Sequence, residues 1–270
     1  MSNILTKIIE SKKEELEQQK SLISLLELKK LVEADEESFE RRRSNKELFF
    51  TSLKDRSRTS IIAEIKRHSP SKGVLRKDLD SIELARDYER AGACAISVLT
   101  EQSFFHGSKD DLIAVRKQTT IPLLRKDFML EEYQILEAAL WGADIVLLIA
   151  SVLSSDQIIR MKKFADDLNL ISLIEVHTMR ELELILPAKP ELIGVNNRNL
   201  NDFSVRFDTS SELIKRYRDE IPFWLSESGI ESAGQISRLR QIGFQGFLIG
   251  ETMLKAQSPG AKLKELIDES

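Results

Sequence analysis

Short apolar runs that alternate with helical segments constrain this chain more than any other feature. Strand-like runs stand at IIAEI (61–65), CAISVL (94–99), IPLLR (121–125) and DIVLLIA (144–150). Four more follow at ISLIEV (171–176), LIGVN (192–196), PFWLS (222–226) and GFLIG (246–250). Between them lie stretches such as SIELARDYERAGA, EEYQILEAALWGA, SSDQIIRMKKFADDLNL and SAGQISRLRQIGF. Several end in glycine just before the next run, where a helix C-cap falls. Strands alternating with helices predict parallel βαβ units, because parallel neighbours need a long crossover. Eight such units predict closure. No GxGxxG fingerprint of an open dinucleotide-binding sheet follows the first run. The expected fold class is α/β, a (β/α)8 TIM barrel with an N-terminal helical extension.

The extension comes from residues 1 to about 50, which are heavily charged and contain no glycine or proline. Ile4, Ile8 and Ile9 form one helical stripe, and Leu22, Leu25, Leu26 and Leu31 suggest a second. Helices of this kind would cover the bottom or side of the barrel; no sustained heptad supports a coiled coil. One barrel domain over 1–270, with 1–50 as its extension, fits the usual size of about 250 residues. Apolar residues at 41% suffice for a core, and a net charge of −4 gives no reason to expect nucleic acid or an anionic membrane. Cys94 is the single cysteine and lies in an apolar run, so a buried structural thiol in a reducing cytosol is expected. The N-terminus is too charged for a signal peptide, and no run approaches the roughly 18 apolar residues that span a bilayer. The expectation is a cytoplasmic protein, monomer or weak homodimer, with no membrane partner.

Chemistry in such a barrel gathers where the strands end. The first run offers Glu64, Lys66 and Ser69; the third ends at Lys126 and the fifth at Glu175. The sixth offers Asn196 and Arg198, the seventh Glu227, Ser228 and Gly229, the eighth Gly250. Glu64 and Lys66 are two apart on extended chain and so share a side. At the mouth of a buried strand such a pair is costly without a partner or a task. A lone charge there is commonly a solvated rim residue, but lysines, glutamates, an asparagine and an arginine converging on one rim make a site. Small residues in SESGI and LIGET let backbone N–H groups approach an anion, as in barrels that hold phosphate after their last two strands. Tight turns are the other use for Gly229 and Gly250. His68, His106 and His177 have no metal-ligand spacing, so no metal is indicated. His177 reads as a rim hydrogen-bonding residue, and Ser228 lacks a histidine partner for a nucleophilic triad. Lys66, Arg67, Lys72, Arg76 and Lys77 make the first loop basic, a candidate lid that draws in a polyanion.

The segments IIAEIKRHSPSKG, LLRKDF, LIEVH, VNNRNL, SESGI and FLIG stand in the order found in indole-3-glycerol phosphate synthases. The resemblance covers essentially the whole chain. It implies conversion of 1-(2-carboxyphenylamino)-1-deoxyribulose 5-phosphate to indole-3-glycerol phosphate, carbon dioxide and water in tryptophan biosynthesis. The implied substrate is a phosphorylated small molecule and the implied cofactor is none. By position, Lys126 resembles the general acid of ring closure and Glu175 an acid–base glutamate. Glu64 resembles a residue that orients the site or acts in dehydration, while Lys66 would meet the carboxylate or phosphate and assist later proton transfers. Asn196 and Arg198 would hold sugar hydroxyls and carboxylate, and Ser69, Glu227, Ser228, Gly229 and Gly250 fall where the family binds substrate or phosphate. Phe128 and Leu147 are candidate walls for the anthranilate ring. Glu251 stands where some members carry serine, so its backbone N–H would meet the phosphate. On the residues alone, a Schiff-base aldolase using Lys126 or Lys66 and a barrel kept as a binding scaffold stay open.

Overall fold

The computed structural model describes residues 4–70, 72–198 and 204–270; Ser71, with Asn199 and Leu200 of the VNNRNL segment, lies outside the described residues. Three helices come first, α1 (Ile4–Leu22), α2 (Leu25–Glu33) and α3 (Glu36–Lys54). Strand β1 (Ser60–Ile65) precedes a small hairpin of β2 (His68–Ser69) and β3 (Gly73–Val74). The later strands are β4 (Ala95–Leu99), β5 (Leu123–Lys126), β6 (Ile145–Ile149), β7 (Ile171–Val176), β8 (Leu192–Asn196), β9 (Phe223–Glu227) and β10 (Gly246–Ile249). Helices α4 (Ser81–Ala91), α5 (Lys109–Arg116), α6 (Glu132–Leu140), α7 (Ser155–Asp167) and α8 (Met179–Ile185) alternate with them. So do α9 (Asp208–Tyr217), α10 (Ala233–Ile242), the short α11 (Glu251–Leu254) and α12 (Pro259–Asp268). The parallel strands close in the order β1-β10-β9-β8-β7-β6-β5-β4, with β1 pairing on both sides. All eight expected runs are strands of this barrel.

Side chains alternate across each strand. Ile62, Leu124, Leu173, Leu192 and Leu225 share the cluster that fills the barrel, whereas Ile61, Ile174 and Ile193 belong to the layer under the helices. Two residues further along the same inward register come Glu64, Lys126, Glu175 and Glu227. Period two therefore carries these polar groups inward just above an apolar floor.

The extension closes one end and reaches the other. Phe49 and Leu53 of α3 join the interior cluster, and Phe50 stacks on Phe223 at the start of β9 with centroids 4.9 Å apart. Helix α1 instead sends Lys12, 2% exposed, to Asp127 at 2.9 Å. Asp127 also meets Arg125 at 3.1 Å and the Thr100 hydroxyl at 2.6 Å. Burial raises its pKa, but the Lys12 and Arg125 charges outweigh that and hold it below the usual carboxylate range. Coverage of the bottom or side was expected; the tie of Lys12 to Asp127 was not, because only the fold puts a buried carboxylate within reach of Lys12. Lys12→Met should cost about 3 kcal/mol, as removal of one partner from a buried pair does. For a chain of this size that lowers Tm by roughly 6–12 °C. A shift below about 2 °C in thermal unfolding at pH 7 refutes the coupling.

The second leucine stripe is corrected. Leu22, Leu25, Leu26 and Leu31 are exposed, and α2 buries Leu28 and Val32. A capping box between Ser24 and Glu27 starts α2, and the Tyr133 hydroxyl at the start of α6 donates to the carbonyls of Gln19 and Ile23. These fix the turn between α1 and α2 and bring the Leu28 face, four residues from Val32, onto the barrel layer. Cys94 is part-buried, and burial pushes its thiol up to about 12, leaving it protonated.

Candidate active site

The inward polar groups surround a cavity of about 640 Å³ at the C-terminal ends of the strands, and every residue singled out for the site lines it. Lys126 ends β5 with its ammonium 2.6 Å from Glu227 Oε2 and 3.3 Å from Glu175 Oε2. Asn196 Nδ2 donates to Glu175 Oε1 at 3.1 Å, so both oxygens of Glu175 are engaged. Lys66, one residue past β1, pairs with Glu64 on the side that their two-residue spacing gives them in common. Asn196 Oδ1 accepts from the Arg198 N–H at 3.0 Å and sets the start of that loop. Arg198 reaches Glu251 at 3.2 Å, and Lys255, one helical turn on, reaches it at 2.6 Å. Phe128, Leu147 and Ile149 supply apolar wall together with Phe105, whose ring centroid lies 6.2 Å from that of Phe128.

Ionisation divides the group. Burial works against the Lys126 ammonium, but Glu227, Glu175 and Glu64 together hold its pKa above the ordinary lysine value, so it is charged. Burial pushes the Glu227 carboxyl up to about 7, Glu175 adding to the rise against the pull of Lys126. Glu175 is held below its ordinary value: burial raises it, and Lys126, His177 and the Asn196 hydrogen bond more than offset that. Neighbouring carboxyls whose proton affinities are driven apart are the usual equipment of acid–base catalysis.

Two glycines on the inward register make room for these carboxylates. A Cβ at Gly194 would fall on Glu227 Oε1, which is buried without a hydrogen bond. A Cβ at Gly250 would lie 2.5 Å from Glu64 Oε1. Approach of an anion was the reason expected for Gly250; the crossing of Glu64 is a nearer one. Gly229 turns at φ 76° after Ser228 at φ 66°, so the tight-turn use applies there. A non-glycine in the left-handed region costs backbone energy, which folds tolerate mainly where a site is built.

The first loop is tied on both flanks. Arg67 pairs with Asp111, His68 Nδ1 lies 2.7 Å from the Phe104 carbonyl oxygen, and Arg76 donates to the Ala256 carbonyl at 3.2 Å. Phe105 and Lys255 were missed in the sequence as cavity residues. An aromatic pair inside the polar stretch QSFFHGS was the available signal for Phe105; for Lys255 it was the four-residue step from Glu251. His177, read as a rim residue, has a side chain 11% exposed and sits 3.3 Å from Glu175. Among the described residues no group of three His, Cys, Asp or Glu side chains is placed to hold a metal ion.

A closed (β/α)8 barrel that gathers lysines and carboxyls of divided proton affinity at its mouth has the layout of a TIM-barrel enzyme. Among solved structures, KGPDC from Streptococcus mutans superposes with TM-score 0.61 at 12% identity, over 78% of this chain and 97% of that one. A 3-hexulose-6-phosphate synthase gives TM-score 0.60 at 16% identity, over 77% and 98%. These likenesses concern the fold alone. Sequence goes further: residues 5–266 match the family described as indole-3-glycerol phosphate synthase. The indole-3-glycerol phosphate synthase of Alkaliphilus metalliredigens is 42% identical over 264 residues, 97% of each chain. That of Lachnoclostridium phytofermentans is 42% identical over 267 residues, 97% of this chain and 98% of its own. The chain belongs to the indole-3-glycerol phosphate synthase family.

Proposed function

We propose that ring closure, decarboxylation and dehydration all take place in this one cavity, driven by the residues at its mouth. The chain is a carbon–carbon lyase of tryptophan biosynthesis that turns 1-(2-carboxyphenylamino)-1-deoxyribulose 5-phosphate into indole-3-glycerol phosphate, carbon dioxide and water. The observation that carries the assignment of roles is the Lys126 ammonium, buried and held between Glu227 and Glu175. As the aromatic carbon attacks the ketone, negative charge grows on the ketone oxygen, and Lys126 is the proton donor. Loss of carbon dioxide restores the aromatic ring. Dehydration then needs an acid on the departing hydroxyl and a base for the neighbouring proton, work assigned to Glu175 and to the Glu64–Lys66 pair. Phe128, Phe105 and Leu147 hold the anthranilate ring; Asn196 and Arg198 hold hydroxyls and carboxylate, with Ser69 beside them.

The phosphate is assigned to the space between the Ser228–Gly229 turn and the Gly250–Glu251 segment, where Lys72 and Lys255 also line the cavity. The chain is proposed to work as one barrel domain with its extension, in the cytoplasm, as a monomer or weak homodimer, without cofactor, nucleic acid or membrane. No described helix is long and apolar enough to cross a membrane. Growth of indole fluorescence on adding the carboxyphenylamino substrate tests the activity; a covalent adduct trapped by borohydride would favour the aldolase reading instead. Placement of the phosphate has its own test. Glu251→Gln removes a negative charge from beside the anion, so KM should fall about threefold to tenfold at low salt, and less at high salt. An unchanged or higher KM moves the phosphate elsewhere.

A further inference from the structure

Glu175, His177 and Glu181 form a connected line of titratable groups, and the roles above use only the first. His177 comes one residue after β7 and keeps the inward side of Glu175, two positions back. Thr178 caps α8 by accepting from the Glu181 N–H at 3.2 Å, and the Glu181 carboxylate accepts from the His177 N–H at 2.6 Å. The Thr178 cap on one side and the bond from the His177 N–H on the other fix Glu181 against the imidazole. Nδ1 then lies 3.4 Å from Glu181 Oε2, and Nε2 lies 3.3 Å from Glu175 Oε1. Both ring nitrogens are shut off from water without a well-aligned hydrogen bond, so each depends on the carboxylate it faces.

The gap between Nε2 and Oε1 requires a proton. With both atoms bare, two lone pairs would face each other where no water can intervene. The proton can sit on nitrogen, as imidazolium against carboxylate, or on oxygen, as neutral imidazole against carboxylic acid. Nδ1 faces Glu181 Oε2 at 3.4 Å in either form, and that carboxylate favours the tautomer with its proton on Nδ1. We propose that His177 is a positioning residue that keeps Glu175 supplied with a proton during dehydration. When Glu175 gives its proton to the departing hydroxyl, the C–O bond breaks, the electron pair leaves with oxygen, and water forms. That proton is the one shared in the gap: it crosses from Nε2 to Oε1 before it leaves, Nδ1–H stays on the side of Glu181, and the pair is left one proton short. The proton released from the substrate in the same dehydration recharges the pair. The charged groups that face the ring are Glu175 on β7, Glu181 on α8 and Glu227 on β9, with Lys126 of β5 behind Glu175. Burial disfavours the imidazolium, but the Glu181 hydrogen bond and these carboxylates outweigh it, so the ring titrates above the ordinary histidine range.

The proposal rests on the acid–base role given to Glu175, and the test separates the two. kcat and KM are measured against pH for the wild type, His177→Gln, Glu181→Gln and Glu175→Gln, with thermal unfolding as a check on folding. Wild-type kcat should fall on the basic side with an apparent pKa above about 6.5. His177→Gln should lose that limb and at least about tenfold in kcat, with KM within about twofold. Glu181→Gln should keep the limb and move it to lower pH. A His177→Gln profile that parallels the wild type overturns the proposal, whatever the loss in rate, and so does an unmoved limb in Glu181→Gln. If neither variant folds, the NMR titration of the wild-type His177 ring decides, since a pKa at or below about 6.5 overturns the proposal. Should Glu175→Gln retain wild-type turnover, the role of Glu175 itself fails. An inactive Glu175→Gln beside an unaltered His177→Gln defeats the relay alone.

Discussion

Lys126→Met should lower kcat by about 100-fold to 10,000-fold while KM changes by less than about threefold, the pattern of a removed general acid. In the resting site the ammonium is already balanced by Glu227 at 2.6 Å and Glu175 at 3.3 Å. It therefore gains little from the neutral ketone of the bound substrate. Its attraction grows as the ketone oxygen becomes an alkoxide, so the interaction belongs to the transition state. Methionine keeps the length of the stem and removes only the charge and the proton. Single-turnover measurements with saturating substrate would isolate the chemical step. A large rise in KM with kcat intact would make Lys126 a binding residue and hand the acid role to Lys66.

The second large effect comes from a residue with no functional group. Gly194→Ala should reduce kcat by about 100-fold, because a methyl at that position falls on Glu227 Oε1. Glu227 would have to leave the inward slot on β8, and Lys126 would lose its nearest carboxylate. Displacement of a catalytic contact by about 1 Å costs on this scale. Stability should fall by about 1–3 kcal/mol, the range for overpacking a filled interior. Both effects are measurable on the same purified sample, by turnover and by denaturant unfolding. A folded Gly194→Ala variant with wild-type kcat would show that the position of Glu227 does not matter to the chemistry.

The barrel was legible in the sequence because its strands carry two messages at once. Apolar runs of the right length announced strands, and their polar last residues announced the rim, so Glu64, Lys126, Glu175, Asn196 and Glu227 could be placed on one face before any coordinates. The α2 face could not be read that way. Leu25, Leu26 and Leu31 are as apolar as Leu28, and only contact with the barrel decides which are covered. The reasons for Gly194 and Gly250 were equally hidden, since each glycine answers to a glutamate on a different strand. His177 was visible as a position, and Thr178 with Glu181 has the spacing of a helix start, but that the Glu181 carboxylate also faces the imidazole is decided only by the fold. Lys12 is the extreme case, a charge in the extension whose partner Asp127 follows β5.

Glu64 lies across Gly250 at the seam between β1 and β10, the first and last strands of the barrel. Pairing with β4 sets one side of Glu64, and the other side of its place is completed when β1 joins β10. A nascent or truncated chain lacking β10 would present Lys126, Glu175 and Asn196 yet leave Glu64 without its neighbour. Regain of turnover during refolding should accordingly lag behind the recovery of helical signal and coincide with the joining of the first strand to the last. The enzyme's own activity serves as the clock for that event.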